Sequence, residues 1–262
     1  MRKYLILAIV ALGCMVMASF AQAGQTLDAS IKPAKLDKKK KKPVKLLIDI
    51  RTGDNISSPV NADQPPDADR TIVEFPKNLS FNTKAAPNCK GTQAALQSTS
   101  TDAAISICGK KSIVSRGGDV QVDNATRTVT SPTGAFVTID NDPANPGSTQ
   151  TLVAVQVTAF NADKKNMLYL HSRPLTLPVT NVLIGKLKKA KGKFGKKLDV
   201  TIPQLLAGGI SDFKVTVKKG KYVQAVCKSR KMPYRASTAY SDAPNTKANF
   251  EGKCKRNKKN KK

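Results

Sequence analysis

Three stretches of the chain alternate apolar and polar residues with a period of two. Leu198, Val200 and Ile202 alternate with Lys197, Asp199 and Thr201; Phe213, Val215 and Val217 alternate with Lys214, Thr216 and Lys218. Val153, Val155 and Val157 alternate with Ala154, Gln156 and Thr158. Successive side chains of an extended strand point to opposite faces, so each stretch can bury one face, and its β-branched residues suit that geometry. Ala135 to Ile139, Met167 to His171 and Lys221 to Val226 read as further strands. Turn chemistry separates them at Ser115–Asp119, Ser131–Gly134 and Asn141–Gly147, where Gly, Pro, Asn and Asp cluster. No long stretch keeps a helical period, and Thr92 to Ser98 is only a short helical hint. The pattern predicts an all-β, sandwich-like body.

Charge marks the edges of that body. Gly24 to Lys42 is polar and basic and ends in Lys38, Lys39, Lys40, Lys41 and Lys42 before Pro43. Adjacent like charges repel, so residues 24–42 are expected to be a solvated, disordered arm. Lys255, Arg256, Lys258, Lys259, Lys261 and Lys262 make a matching basic tail over residues 255–262. Residues 43–254 then form one large sandwich or two small ones. A shared layout, a strand ending in Pro (Phe75-Pro76, Ile202-Pro203) followed by a Cys pair, suggests a sub-boundary near residues 161–166.

The first segment has the form of a signal peptide. Arg2 and Lys3 precede an apolar run from Tyr4 to Phe20, and Ala21-Gln22-Ala23 offers a small-x-small cleavage pattern before Gly24. Residues 1–23 are therefore expected to be removed on export. Cys14, after Ala11-Leu12-Gly13, offers a rival reading as a lipid-anchored cysteine, but the apolar run continues past it. Cleavage leaves four cysteines, Cys89, Cys108, Cys227 and Cys254. An even number outside the cell reads as two disulfides. Three pairings are open, of which the sequential one closes the shortest loops. A zinc site would want paired C-x-x-C knuckles, and none is present.

The chain of 262 residues carries 45 Lys and Arg against 18 Asp and Glu, a formal charge of +27. Loss of Arg2 and Lys3 with the signal leaves +25. Only 9 of the cations are Arg, so the charge is mostly that of hydrated point charges suited to diffuse attraction. A third basic run occupies Lys186, Lys188, Lys189, Lys191, Lys193, Lys196 and Lys197, and the glycines within it suggest a long mobile hairpin loop. A Walker-type phosphate loop is excluded, since no G-x-x-x-x-G-K-[ST] occurs. The absence of Trp and the scarcity of Arg argue against base stacking and sequence-specific DNA reading. The basic runs lack the apolar face that membrane insertion needs.

Candidate chemistry is thin. His171 is the only imidazole and reads as a strand-end residue at the sheet rim, with no G-x-S-x-G elbow to serve it. Glu74 and Glu251 are the only glutamates, and most of the aspartates lie in turns, so a carboxylate pair for glycoside hydrolysis is not distinguished. Asp140-Asn141-Asp142-Pro143 reads as a β-turn rather than a calcium loop, which needs more oxygens and a closing Glu. Asn55, Asn78 and Asn124 begin N-x-[ST] sequons. No catalytic residue, metal or cofactor is expected.

A set of landmarks spans most of the body. Val73-Glu74-Phe75-Pro76 leads to Phe81-Asn82-Thr83-Lys84, Pro87-Asn88-Cys89, Cys108 and Ser112-Ile113-Val114. Phe194-Gly195-Lys196-Lys197-Leu198, Ile202-Pro203, Ile210-Ser211-Asp212-Phe213 and the pair Cys227 and Cys254 follow. In this order the chain resembles a group of exported, β-rich proteins of unknown function that are frequent in soil actinobacteria. Members typically carry Cys-Pro and a Ser-x-Val-Gly-x-Gly turn where this chain has Cys108-Gly109 and Ser112 to Gly117. The resemblance implies export, a β architecture and cysteines bridged in sequence order; it supplies no catalytic residues.

The expectation is thus an exported, non-enzymatic envelope protein held by its lysine-rich segments to an acidic surface polymer. A ligand- or partner-binding sandwich with the lysine tails as tethers is the alternative, and a hydrolase of unrecognised type is a third.

Overall fold

The computed structural model describes residues 24–53, 66–115, 122–123, 128–129, 134–140, 150–175, 177–203, 209–218, 220–241 and 243–257. The signal segment, Cys14, the turns at 116–121 and 141–149, and the sequons at Asn55 and Asn124 lie outside the described residues. Within them, strands dominate. The first six are β1 (Gly24–Lys32), β2 (Lys35–Leu36), β3 (Lys42–Pro43), β4 (Lys45–Gly53), β5 (Ala68–Pro76) and β6 (Leu79–Phe81). Two short helices follow, α1 (Gln93–Leu96) and α2 (Thr101–Cys108). Next come β7 (Ile113–Ser115), β8 (Val122–Asp123), β9 (Thr128–Val129), β10 (Gly134–Asp140), β11 (Gln150–Asn161) and β12 (Met167–Pro174). The chain continues through β13 (Asn181–Lys189), β14 (Phe194–Thr201), β15 (Gly209–Val217), β16 (Val223–Ala225), β17 (Lys231–Tyr240), β18 (Thr246–Lys253) and β19 (Lys255–Arg256).

One antiparallel sheet in the order β1-β4-β15-β10-β11-β12-β13-β14-β5-β17-β18 carries the molecule, with β7 pairing beside β11. Its two end strands, β1 and β18, pack against each other, so the sheet folds back on itself into a sandwich-like shell. Gly252 of β18 lies at this seam, where a Cβ would press on the Tyr234 ring at 3.3 Å and meet the Ala29 carbonyl of β1 in ordinary contact at 3.6 Å. The period-two pattern fills the interior. Leu46, Ile48 and Ile50 of β4 point inward while Asp49 and Arg51 point outward, and Phe213, Val215 and Val217 of β15 do the same against Lys214 and Thr216. With Val73, Phe75, Val157, Leu168, Leu170 and Tyr234 they form the main core. Burying each such side chain contributes roughly 1.5–3 kcal/mol.

Two expectations about chain organisation are corrected. Residues 24–42 are not a disordered arm, because β1 pairs with β4 along its whole length, from Gly24↔Gly53 to Lys32↔Lys45, and buries Leu27, Ala29 and Ile31. The alternation of those three residues with Thr26, Asp28 and Ser30 outweighs the nearby lysines. Residues 161–166 are not a boundary but the hairpin turn between β11 and β12, which pair from Asn161↔Leu168 onward. The two strand-ending prolines belong to neighbours in one sheet, since β5 pairs with β14.

The helical hint at Thr92–Ser98 matters more than its length suggested. Thr92 caps α1 by accepting from the Ala95 amide, and Ser100 caps α2 by accepting from the Ala103 amide. Gly109, at φ +81°, ends α2 in a conformation that side chains rarely adopt. Leu96, Ala104, Ile105 and the Cys89–Cys108 disulfide then cover Phe160, Tyr169 and Val182 on the outer face of β11, β12 and β13. This small second core caps one part of the sheet and leaves the outer face of β13, β14 and β5 open.

Candidate functional site

The residues suited to chemistry are spoken for by the fold. His171 is not at the sheet rim but fully buried beneath the α1–α2 connection. Its outward-facing ring is covered by the helical cap, where Nε2 lies 3.1 Å from the Thr99 carbonyl and 3.3 Å from Thr99 Oγ1. Nε2–H donates to that carbonyl, and buried Nδ1 has no hydrogen-bond partner. Burial, aided by the Arg173 charge, therefore pushes its pKa below the ordinary histidine value, although the Thr99 contact opposes the shift. Glu74 is bound by the Arg235 guanidinium and Glu251 by Lys231 at 3.2 Å.

Asp49 and Asp212 sit side by side on the outer faces of β4 and β15, flanked by Arg51 and Lys214. Burial, with the neighbouring Asp49 carboxylate, raises the Asp212 pKa to about 7. Neither carboxylate lines the groove on the outer face of β12, β13 and β14.

His171 and Asp212 act on stability in opposite directions. A depressed imidazole pKa contributes stability above about pH 6.5 that is lost as pH falls through the lower folded-state value. A raised carboxyl pKa contributes stability below about pH 4 that is lost as pH rises towards about 7. Melting curves across pH 4–8 check both. His171→Gln should flatten the acid limb, and Asp212→Asn should stabilise by on the order of 2 kcal/mol at pH 8 with little gain at pH 4. Unchanged pH profiles in both variants contradict this account.

The lysine-rich runs are placed differently from their expected form. The third run is no loose loop. Lys186, Lys188 and Lys189 lie on β13, Lys196 and Lys197 lie on β14, and only Lys191 and Lys193 occupy the turn between them. Gly192, at φ +63°, makes that turn tight. Lys188 and Lys197 face each other across the pair on the outer surface, and Lys197 also faces Glu74 on β5. The first run is an exposed bend pinned on both sides. β2 pairs in parallel with β19 (Lys35↔Lys255, Leu36↔Arg256), while β3 pairs with β16. Lys42 spans 3.1 Å to Asp37, whose carboxyl is held below the usual carboxylate range by the Asn257 amide and Lys42. The second run begins as β19 and is not a free tail at Lys255 and Arg256; Lys258, Lys259, Lys261 and Lys262 lie outside the described residues.

Topology brings Lys38 to Lys42, the tip of the β13–β14 hairpin and the start of the second run, Lys255 and Arg256, to one end of the sheet. The tip of the β13–β14 hairpin abuts the turn after β5, where a Cβ on Gly195 would stand 3.0 Å from Lys77 Cα. The next residue, Asn78, donates to the Ser229 carbonyl at 2.6 Å, inside the loop closed by the Cys227–Cys254 disulfide. This buried amide is thereby committed, which removes Asn78 as a glycan acceptor in the folded chain. Cys227 N–H donates to the Asp37 carbonyl at 2.8 Å, and Asn257 N–H to the Leu36 carbonyl at 2.9 Å. Lys38 to Lys42, the hairpin tip and β19 thus surround one disulfide-stapled crossing. Lys77, Lys231, Arg235 and Lys253 join them, although as single cations along the chain they look like ordinary solvated positions. Arg235 also stacks 4.7 Å from the Phe194 ring centroid.

A groove of about 800 Å³ opens beside this end, on the outer face of β12, β13 and β14. The first turn of α1 (Thr92, Gln93) forms one wall, and Arg70, Asp199 and Pro203 form the other. Asp199 is buried and receives Arg70 through Nε and Nη2 at 2.7 Å each and Lys188 at 2.8 Å. The Arg70 and Lys188 contacts hold its carboxyl well below the usual carboxylate range. Lys164 and Lys186 stand exposed on the same groove, over Met167 and Ile184.

No family model matches this chain, and no curated protein matches it. The functional reading therefore rests on its own geometry.

Proposed function

We propose that the chain is an exported, non-enzymatic protein of the cell envelope, held electrostatically to acidic surface polymers through the basic end of its sheet. The observation that carries this reading is the convergence of Lys38 to Lys42, the β13–β14 hairpin tip and Lys255-Arg256 on one crossing. Scattered over a surface, those charges would be ordinary solvation; gathered in one patch, they add their fields over any polyanion that docks there. The two disulfides suit an oxidising compartment. Among the described residues no helix is long and apolar enough to cross a membrane. The second reading, a sandwich that recognises a specific ligand, is favoured by the groove beside α1, and the two readings are compatible.

Sedimentation of the full exported chain with envelope fragments across a salt series tests the proposal. The screening length falls from about 8 Å at 0.15 M to about 3 Å at 1 M, so bound protein should elute steeply between them. Retention through about 1 M salt overturns electrostatic attachment. Charge-removing substitutions are the right variants here. Deleting everything before Pro43 would remove β1 and unfold the shell rather than untether it.

A further inference from the structure

We infer that the groove between α1 and β14 is a subsite for one uronic acid unit of an acidic polysaccharide, an inference that rests on the polyanion reading above. Its volume of about 800 Å³ lies in the range of small-ligand sites, roughly 300–1,000 Å³. Its chemistry is mixed in the way an acidic pyranose requires. Lys164 and Lys186 are exposed cations on the groove and suited to a carboxylate, while Arg70 and Lys188 are already held by Asp199. Asp163, whose carboxylate accepts the Tyr169 hydroxyl at 2.6 Å, and the Thr92 hydroxyl offer partners for ring hydroxyls. Met167 and Ile184 give the floor an apolar strip on which the C–H face of a sugar ring can rest.

A nucleic acid fits this groove less well. Tyr169, its one aromatic residue, is buried with its hydroxyl engaged, so no platform is left for base stacking. Asp163 also sets an exposed carboxylate against a densely charged phosphate backbone. A uronic acid chain carries one charge per ring and tolerates it.

The test titrates the full exported chain with a trimer of galacturonic acid, the neutral trimer maltotriose, inorganic tripolyphosphate and a short oligothymidine, all at about 0.15 M salt. The variant is Lys164→Gln, an exposed cation on the groove that belongs to none of the three lysine-rich runs, with the fold checked by an unchanged melting temperature. The expected result is a loss of about tenfold or more for trigalacturonate, with tripolyphosphate changed less than about twofold because it docks at the basic end. Maltotriose should bind far more weakly than trigalacturonate. Equal losses for trigalacturonate and tripolyphosphate, or no loss for either, overturn the subsite while leaving the basic end intact. Tighter binding of oligothymidine that disappears in the variant overturns it in favour of a nucleic acid. Failure of the unaltered chain to bind any of the three anions overturns the polyanion reading itself.

Discussion

Replacing Cys227 and Cys254 with serine should destabilise the protein by about 3.5 kcal/mol, the chain-entropy value for a loop of this length, 27 residues apart in sequence. The consequences should also be local in a specific way. Cys227 N–H holds the Asp37 carbonyl, Arg256 donates to the Cys227 and Lys228 carbonyls, and Asn78 reaches into the same loop. Loss of the bridge frees that loop, and with it the anchors on both sides of Lys38 to Lys42. Trypsin should then cut within this lysine run well before it cuts the sheet. Denaturant unfolding gives the stability, and timed digestion gives the order of cleavage. A loss below about 1 kcal/mol with unchanged cleavage contradicts the stapling role described above. Replacing Cys89 and Cys108 should cost a similar amount, about 3 kcal/mol, but loosen the helical cap instead.

Converting Lys38, Lys39, Lys40 and Lys41 to glutamine should weaken binding to a long polyanion by about 10²-fold at low salt. It should also lower the slope of log affinity against log salt by about 3, since each lost phosphate-type contact removes roughly 0.7–0.9. Lys42 is left out because Asp37 already engages it. These four side chains are exposed in a bend that makes no core contact, so stability should hold within about 0.5 kcal/mol. Affinity measured across a salt series decides the matter. An unchanged slope shows that the pinned bend takes no part in binding.

The all-β class was legible because β14, β15 and β11 carry clean alternation, and β10, β12 and β16 also fall where the pattern placed them. β1 was hidden. Its apolar positions, Leu27, Ala29 and Ile31, include a small alanine, and a run of five lysines follows closely. Composition averaged over that window reads as an arm, whereas the sheet needs only three inward side chains. The lysine runs were legible as charge but not as a place. Their convergence depends on β2 meeting β19 and on β5 lying between β14 and β17, pairings between residues far apart in sequence. The groove was hidden for the same reason, since Lys164, Lys186, Arg70 and Asp199 meet only through three strand pairings and a helix too short to announce itself. His171 was misplaced because a strand end beside Ser172 and Arg173 looks solvated until the helical cap is laid over it.

The meeting of the first and last strands sets the order in which this protein can become itself. β1 leans on β18, β2 awaits β19, and β5 is not enclosed until β17 arrives from the far end of the chain. A chain made from its amino end therefore cannot close its shell until nearly its last residues have emerged. Such long-range pairing folds slowly and leaves strand edges open meanwhile. The high positive charge, spread along the chain before it is gathered at one end, keeps those waiting segments apart from one another.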